Sequence, residues 1–430
     1  MMLVVLRRLV PAEEAVVIAG PLTVLNRSEV NVGDQATVLA AVLAVKALKK
    51  KIYLDLVVEE GALPKFEGVT VLPGATFSLA RYGTLLDLGT DVVDGRYGAD
   101  HAQRHALRIS AALRKGAVAT LASFSSEGIF EAESASLEDV KKAESILFRR
   151  EKHLCFRPRN RRSYERIKRA LNVSQQDSFV EEAADVVFTL PSTSYEPWVE
   201  PFRQWMHEEQ EHSFVIGINA IVYKRMRHWK NMTKYAQFFA SELSDVAQAA
   251  PSLLGRNVSF VLIHHDTRKN RLGINDMTES HLYQEIQNQF KNMRLYNDGL
   301  PYFASDSRSL LADMDMVFAG SMHLMILAAS VYTPVLGMAG QTKHIELLRD
   351  LYSANSTAKC LSQESIQLDE KALHDTSRPF CWEEKGCFNA LAYSILRGLH
   401  CRAHLRQDLR ASVPGLVDKA KRNLNALKGC

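Results

Sequence analysis

A repeated rhythm constrains this 430-residue chain more than any other feature: short β-branched apolar runs alternate with segments of helical period, from Ala15 to Leu190 and again from Ser213 onward. Strands joined by helical crossovers run parallel, because reversing direction takes only a tight turn whereas returning in the same direction needs a long connection. "AVVIAG", Ala15 to Gly20, reads as a buried strand ending in glycine. Asp34 to Lys49 follows with apolar residues at Val38, Leu39, Val42, Leu43, Val45 and Leu48 and lysines at its C-terminal end, the signature of a helix. "KIYLDLVV" returns as a strand, and "LLDLG", "AVATLAS", "HLCFRP", "DVVFTL", "FVIGINAIV", "VSFVLIHHD", "MVFAG" and "TPVLGM" are further strand candidates.

The rhythm breaks once, at "LPSTSYEPWVEPFRQWMHEEQEH", Leu190 to His212, a stretch rich in proline, serine and aromatics and then in charge. We therefore expect an N-terminal αβ domain over residues 1–200, a second over 201–395, and a basic helical tail over 396–430. The 47% hydrophobic and 24% charged content excludes disorder and fibrous repeats, and a net charge of +4 is too small for this length to suggest a nucleic-acid partner. In "MMLVVLRRLV" the arginines follow the apolar residues, the wrong order for a secretory signal, and no run of about 18 apolar residues occurs later. The six cysteines lack paired spacing, so free thiols and a cytoplasmic setting are expected rather than zinc or a disulfide framework.

Five stretches could carry chemistry. "NRSEVNVGDQAT" places Asn31, Gly33 and Asp34 where a loop enters a helix, and free N–H groups there suit an anion, although Asp34 serves equally as a plain N-cap. "LLDLGTDVVDGRYGAD" interleaves Gly89, Gly95 and Gly98 with Asp91 and Asp94, either turn chemistry or carboxylates placed to take protons from sugar hydroxyls. "RPRNRRSYERIKRAL" gathers arginines, Arg159 among them, ahead of a helix expected from about Ser163; they either clamp phosphate or carboxylate or lie exposed. "VLIHHDTRKNRLGIND" ends a strand in His264, His265 and Asp266. Adjacent strand residues face opposite ways, so no metal site is expected from the histidine pair, but one of them can line a ligand site at the strand's C-terminal edge. Finally, "FAGSMHLMILAASVYTPVLGM" sets His323 in the first turn of a helix starting at Ser321 or Met322. The positive helix end disfavours imidazolium there and a bound phosphate restores the proton, which describes an acid that charges only when substrate arrives; a half-buried histidine bonded to a loop is the other reading.

In their order, these stretches resemble the polysaccharide pyruvyl transferase family over roughly residues 15 to 350. Its N-x-G-D loop looks like Asn31 to Asp34, its glycine-rich segment with a following aspartate like Gly89 to Asp94, and its R-D/E-x-x-S/T segment like Arg159 to Ser163. Its alanine-aspartate strand start looks like Ala184-Asp185, its strand-ending histidine like His264, and its late G-x-R-L/M-H, G-x-P and lysine like Ala319 to Lys343. The resemblance implies an α/β fold of two Rossmann-like domains facing across a cleft, GT-B-like, with the acceptor on the N-terminal side and phosphoenolpyruvate on the C-terminal side. It implies transfer of the pyruvyl group of phosphoenolpyruvate onto two hydroxyls of a saccharide or lipid-linked saccharide, with release of phosphate, in exopolysaccharide or surface-glycan synthesis. No separate cofactor or metal is then needed. His323 becomes the acid, Asp91 or Asp94 the acceptor-side base, and Arg159 and Lys343 the anion binders; Asn31, Gly33, Asp34, Gly89, His264 and Ser321 complete the expected substrate site.

The departures fall on the same stretches. Ser321 stands where the family has an arginine, Ala319 and Thr90 replace glycines, Gly340 replaces a tyrosine and Asn160 an acidic residue. Hydrogen bonds to a charged group are worth roughly 1.5 to 3 kcal/mol each, so losing the arginine removes about one to two decades of binding unless another cation compensates. This leaves two alternatives open: a non-catalytic relative that binds a saccharide or a partner, and a nucleotide-sugar glycosyltransferase on the same fold. The basic tail could touch anionic lipid at the inner face of a membrane, but it carries no strong apolar anchor.

Overall fold

The computed structural model describes residues 15–20, 31–55, 69–71, 82–89, 98–126, 137–174, 177–191, 197–220, 232–266, 279–290, 295–296, 304–338, 342–352, 367–368, 380–381, 387–425 and 427. By their contacts these fall into two compact units. Unit 1 takes the described residues of Met1–Asn26, Asp34–Pro191 and Gly415–Cys430, and unit 2 those of Arg27–Gly33 and Ser192–Pro414.

Unit 1 is built on strands β1 (Ala15–Ala19), β2 (Lys51–Asp55), β3 (Val69–Val71), β4 (Thr84–Leu88), β5 (Val118–Phe124) and β6 (Leu154–Pro158). They pair in the order β3-β2-β1-β4-β5-β6, all parallel. Unit 2 has β7 (Ser213–Asn219), β8 (Asn257–Leu262), β9 (Leu295–Tyr296), β10 (Met316–Ala319), β11 (Val335–Met338) and β12 (Gln367–Leu368), again all parallel, in the order β12-β11-β10-β7-β8-β9. Counted along the chain from the first strand of each unit, both sheets have the doubly wound Rossmann order, which reverses direction at β1/β4 in unit 1 and at β7/β10 in unit 2. Both faces are covered: every residue of β1, β4, β6 and β7 is buried, which explains continuous apolar runs in place of alternation.

The helices are α1 (Val32–Ala47), α2 (Gly98–Arg114), α3 (Leu137–Leu147), α4 (Arg161–Leu171), α5 (Glu200–Gln210), α6 (Met232–Leu254), α7 (Glu279–Gln289), α8 (Ala304–Ala312), α9 (Met322–Ser330), α10 (Thr342–Leu351), α11 (Ala390–His400) and α12 (Arg402–Asn425). In α2 the stripe Ala102, His105, Ala106, Ile109 and Ala112 is buried at helical spacing, and its apolar members pack with Val17, Leu85 and Leu121 of the sheet. Burying each larger apolar side chain contributes about 1.5–3 kcal/mol. None of the described helices is long and apolar enough to cross a membrane.

Local chemistry overrides the sequence reading in several places. "DVVFTL" is a 3-10 turn, Val186–Thr189, because the Asp185 carboxylate accepts from Val187 N at 3.1 Å and curls an otherwise strand-like run. α4 starts at Arg161, ahead of the expected Ser163, since Asn160 accepts from Ser163 N at 2.8 Å and is the N-cap. Likewise α1 starts at Val32, which places Asp34 inside the first turn and not at the cap. Against the expectation of free thiols, Cys155 is disulfide-bonded, while Cys401 is completely buried.

The C-terminal helix α12 is divided between the units at Pro414 and Gly415. Within unit 1 its Asn423 is completely buried; Oδ1 accepts from Ser123 N at 2.9 Å and Nδ2 donates to Ala184 O at 2.8 Å. Ser123 sits at a register shift between Ala122 and Phe124 with φ 53, so its amide is turned out of the ladder and needs this acceptor. Asn423→Ala should lower unit 1's unfolding free energy by about 2–4 kcal/mol, measured by urea titration, because two buried backbone groups lose partners. A change within about 0.5 kcal/mol would mean that water reaches the bulge.

Candidate functional site

Open α/β sheets bind ligands beyond the C-terminal ends of their strands where the strand order reverses, because the crossovers there leave in opposite directions and free the strand ends. In unit 2 that place is β7/β10. β7 ends at Asn219; β10 ends at Ala319 and turns through Gly320 and Ser321 into α9, with Gly320 N donating to Asn219 O at 3.1 Å. Ser321 is the N-cap residue by conformation, but its side chain makes no capping hydrogen bond. Among the nine residues of α9, His323 alone is not fully buried. The remainder of the helix is core, so the one partly exposed side chain at its first turn is an imidazole.

Two other chain segments meet that imidazole. His265 lies stacked on it, ring centroids 6.3 Å apart and planes 19° apart. Gly33 passes so close that a Cβ there would fall 2.2 Å from His323 Nδ1, so only glycine fits beside this histidine. Residues 31–33 are held by Val32 N donating to His265 O at 2.8 Å and Asn31 Nδ2 donating to Asp266 Oδ2 at 3.0 Å. The 265–266 turn is fixed in its own right by Glu279, the first residue of α7, whose Oε2 accepts from His265 N at 2.5 Å and Asp266 N at 2.7 Å. Asn219 Nδ2 donates to the other Glu279 oxygen at 3.2 Å and to Ile263 O at 3.1 Å. Burial pushes the Glu279 carboxyl well up, the Asp266 charge adds to this, and the hydrogen bonds it accepts oppose it. Asn219 Oδ1 is buried and has no hydrogen-bond partner among the described residues.

The structure thus brings Asn31, Gly33, Ser321 and His323 into one unit, at one sheet edge. His264 turns elsewhere: it is buried against the Tyr283 ring at 4.9 Å, with Nε2 3.3 Å from Ser280 Oγ, and its neighbour His265 is the one that meets His323. Lys343 lies in the first turn of α10, which follows β11 in unit 2, and Asp34 belongs by its contacts to unit 1. Gly89 extends β4, its N–H donating to Ala122 O at 2.9 Å. Arg159 is buried in unit 1, Nε donating to Ser125 Oγ at 2.7 Å and Nη1 to Asp185 Oδ2 at 3.0 Å. Asp91 and Asp94 lie outside the described residues. The sequence reading missed Asn219 and Glu279, which carry no motif, and through the resemblance it named His264, whereas His265 is the member of the pair that meets His323.

No family model matches the chain, and no curated protein matches it. Solved structures match at low identity. Glycosyltransferase from Rickettsia africae aligns over 96% of this chain and 97% of its own, at 11% identity and a TM-score of 0.52. S. aureus MnaA in a co-structure with UDP aligns over 96% of each chain, at 9% identity and a TM-score of 0.54. UDP-GlcNAc 2-epimerase from Neisseria meningitidis bound to UDP-GlcNAc aligns over 97% of this chain and 100% of its own, at 11% identity and a TM-score of 0.51. At such identity the likeness concerns the fold, and with the two sheets described above it establishes an α/β fold of two Rossmann-like domains of the GT-B kind.

Two outcomes follow from these placements. Arg159→Ala should destabilise unit 1 by about 3–5 kcal/mol in urea unfolding, because it leaves the buried Asp185 carboxylate uncompensated. An unchanged midpoint combined with weakened anion binding would instead make Arg159 a ligand residue. Burial lowers the His264 imidazole from 6.5 to about 4. Between those values the unfolded chain binds the extra proton, so the contribution is fully present above 6.5 and is lost as pH falls toward 4. At about 1.4 kcal/mol per pH unit, that loss is on the order of 3 kcal/mol. The unfolding free energy of wild type minus that of His264→Gln should fall by this amount across the window; a flat difference would show that the folded imidazole is solvated.

Proposed function

We propose that the chain is a saccharide-acting transferase that holds a phosphate-bearing donor at the first turn of α9, with His323 as the acid. The observation that carries this reading is the isolation of His323: it is the one α9 side chain not fully buried, flanked by His265 and by a glycine that nothing larger could replace, at the β7/β10 reversal. The N-terminus of a helix directs its first N–H groups at an anion, and here the cap residue makes no side-chain capping bond of its own. A phosphate there favours the protonated imidazole, and the proton can then pass to the group being transferred or released. Lys343, a cation in the first turn of α10, opposes its own helix dipole, a position that an anionic ligand would relieve.

Two donors are compatible with this chemistry. Phosphoenolpyruvate is supported by the ordered motifs and by the meeting of Asn31 to Gly33 with His323, residues far apart in sequence that the pyruvyl transferase resemblance puts in one site. His323 would protonate the enol methylene, the resulting oxocarbenium-like carbon would be taken by two saccharide hydroxyls as a ketal, and phosphate would leave. A nucleoside diphosphate sugar is supported by the structural neighbours, two of which are described with UDP or UDP-GlcNAc bound. For that donor the diphosphate would occupy the α9 N-terminus and His323 would assist its departure.

Calorimetric titration of the full chain with phosphoenolpyruvate and, separately, with UDP-GlcNAc distinguishes the two. Heat with the first alone selects pyruvyl transfer, and heat with the second alone selects a nucleotide-sugar enzyme. Binding of neither would reject the transferase reading in favour of a saccharide- or partner-binding protein. With the donor that binds, His323→Ala should lower kcat by about 10²–10⁴ while the fold, followed by circular dichroism, is unchanged. Wild-type rates from the variant would remove His323 from the mechanism.

A further inference from the structure

Unit 1 has its own strand-order reversal, at β1/β4, and a chain of titratable groups ends there. Asp87, next to last in β4, shares the sheet face of Leu85 toward α2 and is completely buried. Its Oδ2 lies 2.8 Å from Nδ1 of His105, which occupies the buried stripe of α2 where a hydrophobic residue would be expected. His105 Nε2 lies 3.4 Å from Nε2 of His101, one turn nearer the start of α2, and the rings meet edge to face, centroids 4.8 Å apart. His101 is half-buried, and its Nδ1 lies 3.2 Å from Nη2 of the exposed Arg104. The series runs from the sheet core outward: Asp87, His105, His101, Arg104.

Its two ends decide the protonation of the middle. A guanidinium can only donate, so His101 Nδ1 is the acceptor and its proton is on Nε2. That N–H donates to His105 Nε2, leaving the His105 proton on Nδ1, where an ionised carboxylate can only accept it. Every link is satisfied with both imidazoles neutral. The surroundings add a charge argument. Arg108 is shared between two carboxylates, with Nε 3.3 Å from Asp55 Oδ2 and Nη1 3.6 Å from Asp87 Oδ1. Two carboxylates against one guanidinium leave this buried group one positive charge short, and an imidazolium at His105 would supply it. Burial first and then the Asp87 charge raise the Asp55 carboxyl, with Arg108 opposing; burial and Asp55 raise the nearby Tyr82 phenol, which stays neutral.

We propose that His101, His105 and Asp87 form a directed proton relay that deprotonates a hydroxyl of the saccharide acceptor at the C-terminal edge of unit 1's sheet. A hydroxyl taking Arg104's place gives its proton to His101 Nδ1. The Nε2 proton of His101 moves to His105 Nε2, so His101 ends neutral in the other tautomer and His105 ends as an imidazolium beside Asp87. One proton enters and one is stored; reversal resets the relay. His101 is the catalytic residue, and His105 and Asp87 are positioning residues acting through it. This rests on the transferase reading for its substrate, but the relay itself does not.

The test therefore has two arms on the full chain. Two-bond nitrogen–proton NMR of histidine-labelled protein, assigned with His101→Gln and His105→Gln, should show one tautomer each: Nδ1–H at His105 and Nε2–H at His101. Arg104→Leu, an exposed change, should release His101 into a tautomer mixture and leave His105 fixed. Averaged tautomers in wild type, or stoichiometric zinc shifting both rings, would overturn the relay, the latter by making the pair a chelate. In the second arm, with whichever donor turns over, His101→Gln should lower kcat by about 10²–10⁴, leave the donor KM unchanged and abolish the pH-rate limb of the base. Asp87→Asn should shift that limb. An unaltered kcat in His101→Gln would overturn the catalytic role. Wild type that turns over no donor would reject the transferase reading and this acceptor role with it, while the NMR arm still decides the relay.

Discussion

A parallel sheet covered on both faces spends its backbone polar groups in the ladder and its side chains in the core, and chemistry is left only to the strand ends. Where successive crossovers leave in opposite directions, two adjacent strand ends are uncovered together. This chain makes that arrangement twice with the same strand order, and each time polar residues interrupt an apolar strand end. In unit 1 the interruption is Asp87 within "TLLDL"; in unit 2 it is Asn219 at the close of "SFVIGIN". A buried carboxylate or amide at such a place costs stability unless it is hydrogen-bonded. Asp87 Oδ2 and Asn219 Nδ2 find partners, while Asp87 Oδ1 and Asn219 Oδ1 have no hydrogen-bond partner among the described residues, and the bonds that are made set the geometry of the groups nearer the surface.

In unit 2 the order of dependence can be followed from the core outward. Glu279 is fully buried, and two consecutive backbone N–H groups bond the same oxygen, so the chain can pass residues 265 and 266 in only one way. That turn decides which member of the histidine pair stacks on His323 and leaves the other to the Tyr283 ring. It also presents the His265 carbonyl and the Asp266 carboxylate that capture residues 31–33. The outcome is that Gly33 abuts an imidazole carried by α9, far away in the sequence. No residue in this sequence of contacts works alone, and a substitution at Glu279 would be felt at His323 through His265 directly and through Asp266 and residues 31–33 as well.

What was legible in the sequence was whatever is set locally. The strand "AVVIAG" is β1, "TPVLGM" contains β11, and the start of α9 falls within the one-residue range expected from its apolar run. The order of elements was enough to expect βα units and a parallel sheet, and the two Rossmann-like domains followed from the family resemblance. The misses share a cause: a polar side chain redirected the backbone. Asp185 turned "DVVFTL" into a 3-10 turn while its other carboxyl oxygen took Arg159, so the arginine read as an anion clamp has a buried carboxylate partner inside unit 1. For the site, the motif residues Asn31, Gly33 and His323 were visible because they form short patterns. Glu279, Asn219, Asp87 and His105 were not, because each works through a partner on another element that local periodicity does not encode.

Ser321, ahead of α9, stands where the resembled pyruvyl transferase pattern has an arginine, and the difference bears on more than one contact. The helix does have a buried guanidinium, but at its other end, where Arg308 donates to Ser330 Oγ at 3.0 Å and Ser330 O at 3.2 Å. Burial lowers the Arg308 pKa without removing its charge, and a cation at a helix C-terminus steadies the negative end of the dipole. At the N-terminal end the neutral Ser321 hydroxyl does not cap the helix. An anion arriving there is met by oriented backbone N–H groups and an imidazole that can take a proton, in place of a fixed positive charge. Such a site holds a phosphate less tightly when His323 is neutral and more tightly once it is protonated. In the arginine form of the family pattern, donor binding is secured by a permanent charge. On the proposed reading, binding the donor and charging His323 would be the same event in this chain, and proton uptake would accompany donor binding wherever the imidazole is neutral beforehand.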